Sequence, residues 1–177
     1  KRDFWLDLKI NDIPQTALSP IDSLKDLKKC KYITVHANGG LDMLRAVKKH
    51  AKKINKNLKV LGVTILTSLN NKSLREIGHT KNVQQLVLKQ AELIKKSGCD
   101  GIVCSPQESK MIRKKFKNFL IITPGIRLPG DNLNDQARVM TPKDAFKNKV
   151  SGVVMGRSLT KGNIKLNVKK LIAHLSQ

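Results

Sequence analysis

Six short apolar runs alternate strictly with helical patterns along this chain, and that alternation constrains the fold more than any other feature. The runs are Phe4–Lys9, Tyr32–Val35, Val60–Ile65, Gly101–Cys104, Leu120–Thr123 and Gly152–Met155. Between them, Leu41, Leu44, Val47, Ala51 and Ile54 recur at three- and four-residue steps, as do Val83, Leu86, Val87, Ala91 and Ile94. Such spacing lays an apolar stripe along one side of a helix. Gly98 is placed to end the second of these helices. Ser19-Pro20, Ser105-Pro106 and Thr141-Pro142 share one start signal: a hydroxyl cap, proline in the first turn and an acid two residues later. A last helix is expected over Asn167–Leu175. Strands separated by helices cannot pair as hairpins, so the sheet they form is parallel, with helical crossovers.

Loop chemistry favours a closed barrel over an open doubly wound sheet. The stretch from Pro124 to Val139 is long for a structureless connection, and loops of that length are usually functional. The next strand is followed at once by Gly156-Arg157-Ser158. In (β/α)8 barrels phosphate often binds at the loops after strands seven and eight. If these are those loops, the sequence holds strands three to eight, without the first two strand–helix units. Its 177 residues agree, since a whole barrel takes about 250. The expected class is therefore α/β, a (β/α)8 TIM barrel lacking its first two βα units, with residues 1–177 forming one domain incomplete at its N-terminus.

A net charge of +22, from 35 Lys and Arg against 13 Asp and Glu, raises the question of a polyanion partner. The lysines are spread over helix faces and helix ends, where they are favoured anyway. Aromatic residues make up 3% of the chain and do not interleave with basic ones as stacking platforms do. The distribution argues against nucleic acid, although a basic nucleic-acid-binding module remains an alternative. No apolar run approaches the ~18 residues of a membrane span, and no secretory h-region precedes Asp7. Cys30, Cys99 and Cys104 are read as reduced thiols and the location as cytoplasmic. His36, His50, His79 and His174 show no metal spacing.

The chemistry-bearing segment is the first one. On a regular strand Asp7 and Lys9 project to the same face, and Asp12 follows in a segment that Pro14 keeps out of a helix interior. Three charges at a strand-to-loop junction are costly for a core and suit a catalytic site. Read alone, an Asp-x-Lys pair is a structural ion pair, Ser68 a turn cap, Gln136 a loop residue and Arg157 a helix-end cation. His36, at the end of a strand, is open between a core role and a place behind the site.

Taken together, the motifs resemble the orotidine 5′-phosphate decarboxylase family. They are Asp7-x-Lys9-x-x-Asp12-Ile13-Pro14-x-Thr16, Val35-His36-Ala37-Asn38-Gly39-Gly40, Val63-Thr64-Ile65-Leu66-Thr67-Ser68, Gly98 to Ser105, Pro124-Gly125-Ile126-Arg127, Asp135-Gln136-Ala137-Arg138-Val139 and Gly156-Arg157-Ser158. The resemblance implies a homodimeric barrel that converts orotidine 5′-phosphate to uridine 5′-phosphate without a cofactor or metal. It assigns Asp7, Lys9 and Asp12 to a catalytic charged tetrad, with Asp12 and Thr16 reaching the partner's site. It assigns Thr16, Ser68, Pro124, Gln136, Gly156 and Arg157 to substrate, with Gln136 on a lid over the phosphate. The family's ribose-binding aspartate and first tetrad lysine have no counterpart in this sequence. Two readings of the ancestry therefore stay open, an active decarboxylase and an inactive truncated remnant that at most binds nucleotide. A magnesium-dependent sugar-phosphate lyase shares the Asp-x-Lys-x-x-Asp core, but Ile13-Pro14-x-Thr16 and Thr67-Ser68 speak for the pyrimidine enzyme.

Overall fold

All six apolar runs form strands in a computed structural model that describes residues 2–131 and 139–176. The contacts fall into two compact units, Lys1–Thr64 with Leu86–Val103, and Ile65–Gln85 with Cys104–Gln177.

In the first unit β1 (Phe4–Ile10), β2 (Cys30–His36), β3 (Lys59–Val63) and β4 (Gly101–Val103) lie side by side in chain order, and each adjacent pair is parallel. Ile33, Val35, Val60, Leu61 and Ile102 are fully buried, as expected of strands covered on both faces. A single helical turn, α1 (Ser19–Asp22), precedes α2 (Gly40–Ile54), which buries Met43, Leu44, Val47 and Ala51. The helix α4 (Val83–Lys96) buries Val87, Ala91 and Ile94. Gly62 sets how closely that helix approaches β3: a Cβ there would lie 2.4–2.7 Å from three side-chain carbons of Ile94. Gly98 follows α4 at φ +84°, the left-handed conformation that glycine adopts without strain.

In the second unit β5 (Leu120–Thr123) pairs in parallel with β6 (Gly152–Val153). Its helices are α3 (Asn71–Glu76), α5 (Pro106–Lys115), α6 (Pro142–Lys147), α7 (Arg157–Thr160) and α8 (Ile164–Ser176). Ser105 and Thr141 cap α5 and α6 as their sequences require, accepting from the backbone N–H of Gln107 and Asp144. Arg113 ties the turn after α5 together by donating to the carbonyls of Lys117, Phe119 and Lys149.

Several boundaries differ from the sequence reading. Ser19 is not a cap: it lies inside α1, whose first residues make no side-chain capping bond. The third strand stops at Val63 rather than Ile65, because its neighbour β4 ends at Val103 and leaves only Thr64 N to bond the Val103 carbonyl. The sixth strand covers two residues of the four expected. The last helix starts three residues early, where Asn163 Oδ1 accepts from Leu166 N. Neither α3, capped by Asn70, nor the single turn α7 was expected.

Candidate active site

The strand β1 does not run regularly to its end. Leu6 stands opposite Ile33 and Ile10 opposite Val35, so Asp7, Leu8 and Lys9 face the single residue Thr34. This is a bulge, and bulges re-aim side chains. Within it Lys9 takes φ 51°, a left-handed conformation uncommon for a residue with a side chain. Asp7 and Lys9 thus meet by a route other than plain strand alternation. Lys9 Nζ donates to Asp7 Oδ2 at 2.6 Å, with the two side chains 43% and 48% exposed. The other oxygen, Asp7 Oδ1, accepts from the Thr34 hydroxyl at 2.7 Å.

Asp12 follows on the loop after β1 and Thr16 opens the short 3-10 turn Thr16–Leu18, and both are exposed. Asp12 Oδ1 accepts the backbone N–H of Ile13 at 2.7 Å, which holds its carboxylate on the loop. Lys9, Asp12 and Thr16 line one open cleft of about 500 Å³ with Leu8, Ile10 and Asn11. His36 ends β2, and its Nδ1 is buried with no hydrogen-bond partner among the described residues. Burial, and secondarily the Lys9 charge, hold its imidazole below the ordinary histidine value.

The remaining candidates belong to the second unit. Gly156 N-caps α7, and its carbonyl accepts from Leu159 N and Thr160 N. Arg157 lines a cleft of about 270 Å³ with Arg127, Asp131, Ser158, Lys161 and Asn167. Among the described residues its lining carries three cations and one carboxylate, a balance that favours an anion. Two of its polar atoms, Arg127 Nε and Ser158 Oγ, are buried without a hydrogen-bond partner among the described residues. Arg127 is 8% exposed, with one guanidinium nitrogen on the Ile126 carbonyl. Pro124 follows β5 directly and is half-buried, whereas Ser68 is exposed in a turn after β3. The α3 cap is Asn70 and not Ser68. Gln136 lies outside the described residues, as does Arg138.

Thr34 and Lys161 were given no role from the sequence, and Ser158 entered only as part of the Gly156-Arg157-Ser158 motif. Ser158 and Lys161 adjoin Gly156-Arg157 and could have been drawn in by proximity. Thr34 carries no such signal, because its contact with Asp7 exists only through strand pairing.

The family profile described as orotidine 5′-phosphate decarboxylase / HUMPS matches residues 4–169. A protein of Staphylococcus epidermidis named orotidine 5′-phosphate decarboxylase is 41% identical over 160 residues, covering 89% of this chain and 69% of that protein. One of the same name from Actinobacillus pleuropneumoniae is 39% identical over 174 residues, covering 97% of this chain and 75% of that one. The crystal structure of orotidine 5′-phosphate decarboxylase from Lactobacillus acidophilus matches with a TM-score of 0.83 at 32% identity, over 99% of this chain and 76% of that one. A bulged Asp7–Lys9 pair at the end of β1, a cationic cleft at Arg157 and these likenesses over nearly the whole sequence have one explanation: the chain belongs to the orotidine 5′-phosphate decarboxylase family.

Proposed function

We propose that this chain carries the carbon–carbon lyase chemistry for which its relatives are named, the loss of carbon dioxide from orotidine 5′-phosphate to leave uridine 5′-phosphate. The observation that carries the proposal is the Asp7–Lys9 contact, 2.6 Å long, in the bulge that closes β1. Breaking the bond from C6 to its carboxyl carbon leaves an electron pair in the plane of the ring, where resonance cannot spread it. An ammonium held beside C6 stabilises that charge. The same ammonium then supplies the proton that completes the product, and Lys9 regains a proton from water. In this reading Asp7 fixes Lys9 and stands near the departing carboxylate. Nothing in these steps calls for a cofactor.

The other assignments follow the family motif position by position. Asp12 and Thr16 serve the site of a partner subunit in a homodimer, which suits their exposure after β1. Ser68 is assigned a hydrogen bond to the pyrimidine ring, Pro124 is assigned to substrate, and Gln136, outside the described residues, is assigned to the lid. Gly156 and Arg157 grip the phosphate, supported by the three cations of the Arg157 cleft and by the fit of a guanidinium to phosphate. Closing on a phosphate far from C6 lets remote binding energy lower the barrier at the ring. The six strands take the places of strands three to eight of a single barrel domain. A cytoplasmic setting goes with this reading: Cys30, Cys99 and Cys104 are buried thiols, and none of the described helices is long and apolar enough to cross a membrane. The pairs Lys52-Lys53, Lys95-Lys96 and Lys114-Lys115 sit in the last turns of α2, α4 and α5, where the helix dipole favours them without any polyanion.

The test is turnover of orotidine 5′-phosphate by the chain, followed by absorbance, beside binding of uridine 5′-phosphate and of a pentulose phosphate. Turnover with selective binding of the nucleotide supports the decarboxylase. Nucleotide binding without turnover supports the inactive remnant, and preference for the pentulose phosphate refutes the pyrimidine assignment.

A further inference from the structure

The bulge in β1 raises a problem that one side chain on β2 solves. Where three residues of one strand face one of the next, the ladder is interrupted and a backbone N–H loses its carbonyl. A buried polar group left in that state is costly. Here Lys9 N donates instead to the Thr34 hydroxyl, at 2.9 Å. The same hydroxyl lies 2.7 Å from Asp7 Oδ1. Its proton can point only one way. A backbone amide can only donate and an ionised carboxylate can only accept, while a hydroxyl has one hydrogen and two lone pairs. A lone pair therefore takes Lys9 N–H, and the hydrogen goes to Asp7.

Both oxygens of Asp7 are then committed, one to Thr34 and the other to Lys9 Nζ. Lys9 is held twice, at its backbone nitrogen by Thr34 and at its ammonium by Asp7. Thr34 cannot drift with the loop, since it is completely buried and sits in the middle of β2, in register with Leu61 of β3. The bulged end of β1 is in this way referenced to a buried position of β2.

We propose that Thr34 is the positioning residue of the Asp7–Lys9 pair, its hydroxyl fixing both the plane of the carboxylate and the strained backbone that aims the lysine. The proposal rests on the decarboxylase reading for its catalytic consequence, but the positioning can be measured without it. Thr34→Val keeps the shape and removes the hydroxyl. Thr34→Ser keeps the hydroxyl and controls for packing. With orotidine 5′-phosphate as substrate, T34V should lower kcat about ten- to a hundredfold, the usual cost of a hydrogen bond to a charged group. KM should change little, because Thr34 lies behind the pair, and T34S should restore most of the rate. In parallel, amide hydrogen exchange on the labelled chain should show Lys9 N–H exchanging at least about tenfold faster in T34V, with Ile33 and Val35 unchanged. T34S should keep the slow exchange. A T34V protein with native kcat, or one whose Lys9 amide stays protected, overturns the proposal. If the native chain turns over no substrate, the decarboxylase reading fails at its own test and the Lys9 exchange alone decides for or against Thr34.

Discussion

Substituting Lys9 by glycine and by alanine should separate what this residue does for the fold from what it does for the chemistry. Lys9 holds φ 51°, where a Cβ crowds the following carbonyl at a cost on the order of 1–2 kcal/mol. Glycine escapes that cost but brings extra freedom to the unfolded chain, worth about 0.5–1 kcal/mol. The ion pair with Asp7 returns little. With its side chains 43% and 48% exposed, it contributes about 0–1 kcal/mol. Alanine keeps the strain and loses the pair, whereas glycine loses the pair and sheds the strain. Lys9→Gly should therefore be more stable than Lys9→Ala by about 0.5–1 kcal/mol. In urea denaturation this difference moves the midpoint by about 0.3–0.5 M. Neither variant should decarboxylate orotidine 5′-phosphate. An alanine variant at least as stable as the glycine one would refute the strain argument, and turnover surviving in either would remove the ammonium from the mechanism.

Two further outcomes follow from packing and titration. Gly62→Ala would bring a Cβ within 2.7 Å of the Cγ1, Cδ1 and Cγ2 atoms of Ile94. Both γ carbons are among the three, so more than the tip of the side chain must move, and the substitution should cost about 2–3 kcal/mol, partly recovered in the Gly62→Ala, Ile94→Ala double variant. Additive losses in the denaturation midpoints would show that the two sites do not meet. The His36 imidazole is held below its ordinary value of 6.5, chiefly by burial. The unfolded chain then binds the proton first as pH falls. His36's contribution to stability is thus fully present above about pH 6.5 and is lost as pH drops through its lower folded value. His36→Gln should flatten the stability profile on the acid side of 6.5, and an unchanged slope would count against a buried neutral imidazole.

The alternation of elements was legible because it rests on local rules. Of the apolar steps read along α2 and α4, Leu44, Val47, Ala51, Val83, Val87, Ala91 and Ile94 are buried, whereas Leu41, Ile54 and Leu86 are only partly covered, and the Ser105 and Thr141 caps form as read. Ser19 failed because capping depends on the preceding backbone. Leu18, just before it, is already helical at φ −80° and ψ −32° and takes the cap position, so Ser19 stands inside the helix rather than before it. Strand ends were misjudged for a related reason: Val63 and Val153 end their strands where a neighbouring strand stops offering partners, which apolar sequence does not encode.

The candidate site divides along the same line. The sequence by itself determined which residue types stand together near the end of β1 and after β6, and the family they point to, because those groups are contiguous in the chain. Only the tertiary structure decided how they are held. Asp7 and Lys9 meet through a bulge rather than through strand alternation, Lys9 sits in a left-handed conformation, and Thr34, 27 residues from Asp7 in sequence, joins them. Arg127 likewise reaches the Arg157 cleft from a separate segment. Hydrogen bonds and charge pairs act over a few ångströms of space whatever their separation along the chain, so their partners appear only once strands have paired and loops have closed.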